Sequence, residues 1–294
     1  VILGKAYVLS GNDKYCKEFV SQLNSWFDAN PPKRGINWCS SLELSFRSIA
    51  WIWTYHLFGG ATNLPQDFPD KFFSFLNIQA EHIEHNLSIY YSPNTHLTGE
   101  ALGLFYIGTV FQGLNGAERW LERGRDILLQ CIDEHILPDG GYMERSLWYH
   151  RYTIDFFIHF YLLARLNNVP LPSKVEDKIL QLAEFLMYTA GPDRHFPLIG
   201  DDDGGRLLPI DHLEGNDLKG LFCTLSVIFK RGDFKYLSGG YQEETLWLLG
   251  PDSKVVYDNI EEQEPALFSK GFKETGYYFM RNDWSEKANY LAFN

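Results

Sequence analysis

The sequence predicts an all-α fold, an (α/α) toroid built as an incomplete barrel of helical hairpins, that gives way near its end to β-strands. Three observations predict it. Apolar stripes of helical period follow one another through residue 250, amphipathic helices alternate with wholly apolar ones, and beyond about 265 the pattern turns β-prone.

The first residues, Val1 to Tyr7, read as the interior of a helix. In 13–29 the stripe Tyr15, Phe19, Val20, Leu23, Trp26 and Phe27 marks an amphipathic helix that Pro31-Pro32 ends. Further helices fit 38–58, 69–90, 95–113, 116–136, 147–167, 173–190 and 214–230. The breaks between them are Gly59-Gly60, Ser92-Pro93-Asn94, the stretch 113–116, Pro138 to Gly141, and Gly191-Pro192. The segment 173–190 is amphipathic, whereas 101–112 and 154–164 are apolar almost all round. A helix apolar on every side is buried on every side, so an outer amphipathic ring around an inner apolar ring follows. A bundle is the alternative, but eight or more helices exceed a simple four-helix design.

After residue 250 the composition changes. Residues 251–266 are polar and acidic and read as a linker between a helical domain, 1–250, and a β-rich one beginning at 267. Within 267–294, Gly276 to Arg281 and Ala288 to Asn294 read as strands joined by a turn at Asn282-Asp283. A lone hairpin is marginal in water, so the sequence is expected to be a fragment that stops inside a sheet domain.

Composition narrows the function. Of 294 residues 45% are hydrophobic and 16% aromatic, enough for a large core and for aromatic faces on which sugar rings stack. A net charge of -12 excludes a general nucleic-acid binder, which needs a basic footprint. It also weighs against a highly sulfated ligand unless a cleft is locally basic. No apolar run reaches membrane-spanning length. Cys16, Cys39, Cys131 and Cys223 are widely spaced in apolar helical contexts and are expected to be buried free thiols.

Three segments hold polar residues that helix packing does not require. In Asn37 to Arg47, Glu43 and Arg47 lie one turn apart, as a structural ion pair or as ligand contacts. In Ser92 to Glu100, Asn94 or Thr95 caps the following helix, whose N-terminus favours anions, and His96 and Glu100 share a face. In Asp139 to Tyr152 a turn feeds a helix opening on Tyr149, His150 and Arg151, with Glu144 just ahead. A tyrosine serves as a base only if cations favour its phenolate, and Arg151, His150 or His96 are the expected source. A fourth stretch, Ile199 to Arg206, carries Asp201, Asp202 and Asp203 in a glycine-rich turn. Consecutive aspartates cannot all face one ion, so a cleft-shaping loop is expected rather than a metal site. His82 and His85 read as a solvated helix face.

In this order the segments resemble the heparinase II/III family of polysaccharide lyases and its alginate-lyase relatives. The resemblance rests on Leu3 to Tyr7, N-W-x-S-x-x-E-x-x-x-R at 37–47, S-P-N-T-H-L-T-G-E at 92–100, D-G-x-Y-x-E-x-S-x-x-Y-H at 139–150 and I-G-D-D-D-G-G-R at 199–206. It implies a toroid followed by a β-sandwich, of which 267–294 would be the opening strands. It also implies β-elimination on an acidic, uronate-containing polysaccharide, with no cofactor and no metal. Tyr149 falls on the catalytic tyrosine, base and also acid to the leaving oxygen. His96 falls on the motif histidine, and Asn94 or Thr95 on the group that neutralises the carboxylate. Members often carry Asn directly before that histidine, where this chain has Thr95, which leaves the neutraliser between the two. Glu43, Arg47, Glu100, Glu144, His150, Arg151, Asp201 and Asp202 are the expected substrate contacts. A further histidine is expected from the β-sandwich. An inverting glycoside hydrolase using two of Glu43, Glu100, Glu144 and Asp201 is the enzymatic rival. A non-catalytic glycan-binding protein is the other alternative. A periplasmic or secreted location is favoured over a cytoplasmic one, and the oligomeric state is open.

Overall fold

A computed structural model describes residues 1–59 and 64–294; Gly60, one of the expected helix breaks, lies outside them. The described residues are mostly helical, with one three-stranded antiparallel sheet near the end. They divide into two compact units.

The first unit holds residues 1–133 and 158–171. It contains α1 (Ile2–Ser10), α2 (Lys14–Ala29), α3 (Ser41–Leu57), α4 (Phe68–His85), α5 (Thr95–Val110) and α6 (Ala117–Glu134). α5 is the apolar helix of the sequence pattern: every side chain from Leu97 to Thr109 is buried. Glycines make that possible. A Cβ on Gly103 would lie 2.5 Å from the Cβ of Ser45 on α3, and one on Gly108 would lie 2.4 Å from the carbonyl oxygen of Ala117 on α6. A Cβ on Gly124 of α6 would lie 2.6 Å from the carbonyl oxygen of Ala101 on α5. Only hydrogen fits at these crossings, so α5 is clasped from two sides.

The second unit holds residues 134–157 and 172–294. α7 (Leu147–Leu166) gives it the residues through Phe157 and gives the rest to the first unit. α8 (Lys174–Thr189), α9 (Lys219–Phe229), α10 (Gly232–Ser238), α11 (Glu243–Leu249) and α12 (Ser253–Asp258) follow. Then β1 (Ser269–Phe272), β2 (Tyr277–Arg281) and β3 (Tyr290–Phe293) pair in the order β1-β2-β3. Phe272, Tyr277 and Phe279 on one sheet face meet Phe185 of α8 at ring separations of 4.5, 5.9 and 6.1 Å. The β1–β2 turn is fastened by Asp139, whose carboxylate accepts from the Glu274 and Thr275 amides and the Thr275 hydroxyl at 2.6–2.9 Å.

The differences from the expected elements have local causes. The helix expected over 69–90 stops at His85, because the Asn86 side-chain amide turns back on the His82 carbonyl and Ser88 is drawn to Glu100. The segment read as a linker contains α12, and α10 and α11 are too short for a periodic stripe to reveal. β1 was missed because Ser269-Lys270-Gly271-Phe272 has almost no β-prone side chain; its register on β2 makes it a strand. Among the thiols Cys16, Cys131 and Cys223 are buried as expected, but Cys39 is exposed, since it follows a short 3-10 turn, Ile36–Trp38, instead of lying inside a helix. No described helix is long and apolar enough to cross a membrane.

Candidate active site

The first polar cluster belongs to the mouth of α5. Asn94 is the N-cap, and its side-chain oxygen accepts from the His96 amide at 3.1 Å. Of the two capping candidates the structure selects Asn94, while Thr95 is buried, only 4% exposed. The His96 ring is exposed at the positive end of a sixteen-residue helix.

Glu100, one turn further in, is 1% exposed. Its carboxylate accepts from the Ser88 amide and the Ser88 hydroxyl, both at 2.7 Å. Burial pushes its pKa up to about 7 against the pull of those two bonds. Both oxygens are therefore spent on the chain ahead of the helix. As a substrate contact, or as a hydrolase acid, Glu100 is withdrawn: it shapes the mouth from behind.

Arg47 is also enclosed. Its guanidinium donates to Gln79 at 2.8 Å and to the Asn37 carbonyl at 3.0 Å, and stacks over Trp26 at 4.5 Å. Burial lowers its pKa to about 10, with Glu43 opposing at a distance. Glu43 itself is exposed on the first turn of α3, so Arg47 serves the packing of α3 and Glu43 remains open to a ligand.

The second cluster is the mouth of α7. Ser146 does two things there: its hydroxyl accepts from the Tyr149 amide at 3.1 Å, capping the helix, and donates to the Asp201 carbonyl at 2.6 Å. The loop 199–206 is pinned further by Leu147, whose amide donates to the Ile199 carbonyl at 3.0 Å, and by the Trp148 indole, which donates to the Gly205 carbonyl at 3.1 Å. Gly200 has φ +86°, and a Cβ there would lie 2.7 Å from the Ser146 Cα, so this approach needs glycine.

This docking surrounds Tyr149 with carboxylates. The Tyr149 side chain is half-buried, and its pKa is raised by burial first, then by Asp203, Asp201, Glu144 and Asp202. The expected cationic bias toward phenolate is thus corrected for this unit: the resting group is a phenol. Asp203 was expected only as part of a cleft-shaping loop, and the docking of that loop reveals its place beside Tyr149.

His150 and Arg151 need correction as substrate contacts. His150 is 1% exposed, its Nε2 bonds to the Leu182 carbonyl at 3.0 Å, and its ring stacks on Phe185 at 4.7 Å. Burial lowers its pKa to about 3, so it is neutral. Arg151 is 6% exposed and forms an ion pair with Asp155 and another with Glu244 at 3.5 Å. Glu244 also pairs with Arg206 at 3.7 Å, and Arg206 with Asp211 at 2.8 Å. On a helix consecutive residues point about 100° apart; Tyr149 faces the loop, so His150 and Arg151 face inward.

Asp201, Asp202 and Asp203 are all exposed, and two of them fold the loop on itself: Asp202 accepts from the Gly204 amide at 2.8 Å and Asp203 from the Gly205 amide at 2.9 Å. Among the described residues no group of three or more His, Cys, Asp or Glu side chains is placed to hold a metal ion. His82 is half-buried against Trp38, ring to ring at 5.7 Å, instead of solvated, because α4 turns that face inward.

A mostly helical chain leading into an antiparallel sheet, with polar motifs at the mouths of α5 and α7, has the fold class of proteins with a helical-toroid domain. Residues 1–206 match the family described as Heparinase II/III N-terminus, and the chain belongs to that family. It is 26% identical to a heparin-sulfate lyase of Bacteroides stercoris over 99% of this chain and 43% of that protein. To a heparin-sulfate lyase of Pedobacter heparinus it is 23% identical over 97% of this chain and 40% of that protein. The crystal structure of heparinase III superposes with a TM-score of 0.77 at 25% identity, over 99% of this chain and 43% of that one. The crystal structure of heparan sulfate lyase HepC from Pedobacter heparinus, at 22% identity and a TM-score of 0.67, shares the fold over 99% of this chain and 42% of its own. The chain thus spans about two-fifths of the length of the relatives it matches.

Proposed function

We propose that this protein is a polysaccharide lyase that cleaves a uronate-containing polysaccharide by β-elimination. The observation that carries the reading is the placing of Tyr149: the motif tyrosine alone, among Tyr149, His150 and Arg151, is presented half-exposed at the mouth of α7. Family membership and the relatives' shared name, heparin-sulfate lyase, support the same class. The helical part to about residue 250 is taken as the catalytic domain and the strands from 267 as part of a β-sandwich domain, with the expected linker 251–266 holding α12 between them.

In the reaction a base removes the proton α to the uronate carboxylate. The electron pair of that C–H bond becomes the new double bond, the C4–O bond breaks, and the departing oxygen takes up a proton. Charge builds on the carboxylate as the proton leaves, so donors must meet it there. His96, with Asn94 or Thr95 at the N-terminus of α5, is assigned that task, and Tyr149 the proton transfers. Because burial and four carboxylates hold Tyr149 as a phenol at rest, it is set to give a proton to the leaving oxygen. To act first as the base, Tyr149 must lose its own proton to solvent before substrate closes over it. The proton it then takes from the carbon α to the carboxylate is the one it returns to the leaving oxygen. Glu43, Glu144, Asp201 and Asp202 are left as contacts to sugar hydroxyls. Their negative charge, with the net charge of -12, favours a polymer with uronate but little sulfate.

The test is a panel of alginate, heparan sulfate and other acidic polysaccharides offered to the full-length protein. Cleavage with the ultraviolet absorbance of an unsaturated uronate is expected, and Tyr149→Phe should lower kcat/KM by about 10²–10⁴. New reducing ends without that absorbance would replace the lyase with a hydrolase.

A further inference from the structure

Tyr90 and Tyr91 stand out in the burial of this chain. Of 22 Phe, 17 Tyr and 8 Trp, they alone among the described residues are almost wholly exposed, at 97% each. The next most exposed aromatics, Phe268 and Phe293, reach only 46% and 44%. Adjacent aromatic rings left in water are disfavoured unless something covers them in use.

The turn that carries them is held at both ends. Before it, the Ser41 hydroxyl donates to the Asn86 carbonyl at 2.9 Å, and buried Glu100 grips both the amide and the hydroxyl of Ser88. Within it, the Ile89 amide donates to the Leu87 carbonyl at 2.8 Å and the Ser92 amide to the Ser88 carbonyl at 3.3 Å. After it, Asn94 caps α5. A buried carboxylate spent on a surface turn is costly, and what it secures is the position of these two rings. Ordering the turn in advance lowers the entropy lost when a ligand settles on it.

We infer that Tyr90 and Tyr91 form a sugar-stacking subsite for an acidic polysaccharide. A phenol ring offers an apolar face to the C–H face of a pyranose and a hydroxyl to its oxygens. The positive end of α5 and the exposed His96, four and more residues on, select a carboxylated sugar over a neutral one. Nothing in the chemistry of elimination requires the two rings, so they act on binding. The inference rests on the lyase reading and adds to it where the polymer is held.

The experiment compares full-length wild type, Tyr90→Ala/Tyr91→Ala and Tyr90→Phe/Tyr91→Phe on every polymer of the panel that wild type cleaves. The double alanine variant should raise KM about tenfold with kcat nearly unchanged, and the double phenylalanine variant should keep most of the affinity. Both substitutions are at exposed positions, and an unchanged melting curve verifies that the fold is kept. Wild-type cleavage with an unaltered KM in the alanine variant overturns the subsite and leaves the lyase intact. A wild-type protein that neither binds nor cleaves any acidic polymer overturns both.

Discussion

The mouths of α5 and α7 look alike in sequence, a polar motif followed by an apolar helix, yet they are built in opposite ways. At α5 a side chain from within the helix reaches outward: Glu100 seizes Ser88 and fixes the chain ahead of the cap. At α7 a loop from fifty residues on reaches inward and docks on Ser146, Leu147 and Trp148. The first device leaves an imidazole exposed at a helix N-terminus. The second brings a row of carboxylates to a phenol. The electrostatics of each mouth is therefore set by how the helix end is satisfied, which decides which of the motif charges reach it.

The comparison can be broken most severely at the crossings behind each mouth. Gly103→Val forces a side chain into Ser45 and should cost about 3 kcal/mol of stability, read as a lower denaturant midpoint. Gly200→Ala, which strains a positive φ against Ser146, should instead loosen the acidic loop. Its signature is faster amide exchange over 199–206 with the midpoint largely kept. Equal global losses in both variants would show that the two mouths are held in the same way.

A smaller effect is expected at Glu100. Glu100→Ala leaves the Ser88 amide without its acceptor and should cost about 1–3 kcal/mol. Glu100→Gln keeps an acceptor and isolates the charge. The folded pKa, near 7, lies above the ordinary 4.5, so the protonated form contributes stability below pH 4.5 that is lost as pH rises through 7. Melting temperatures should thus favour Glu100→Gln over wild type increasingly across that window. A constant difference from pH 4.5 to 8 would contradict the buried titration.

The smallest change is at the mouth of α7. Asp203→Asn removes the carboxylate that most raises Tyr149 after burial itself. With one negative charge gone the phenolate is favoured, so the limb of the kcat/KM profile governed by Tyr149 should move to lower pH. A limb that stays in place, or moves up, would take Asp203 out of the tyrosine's surroundings.

How much of this was legible beforehand differs between elements. The long helices were, because burial of a helix writes a 3.6-residue stripe into its sequence, and α5 wrote an unbroken apolar run. Asn94 was legible as a cap of α5; the short helices α10 to α12 and the strand β1 were not, since a few residues hold no period. His150 and Arg151 misled, because polarity in a chain says that a residue needs a partner without saying whether the partner is water or a buried carbonyl.

By itself, then, the sequence determined the helical class, the switch to strands and the candidate chemistry, since periodicity and residue type are local properties. Tertiary structure alone decided which polar groups are sealed, which face solvent, and that carboxylates gather around Tyr149. Solvation and Coulomb energy depend on distances between residues far apart in the chain, and only folding fixes those distances.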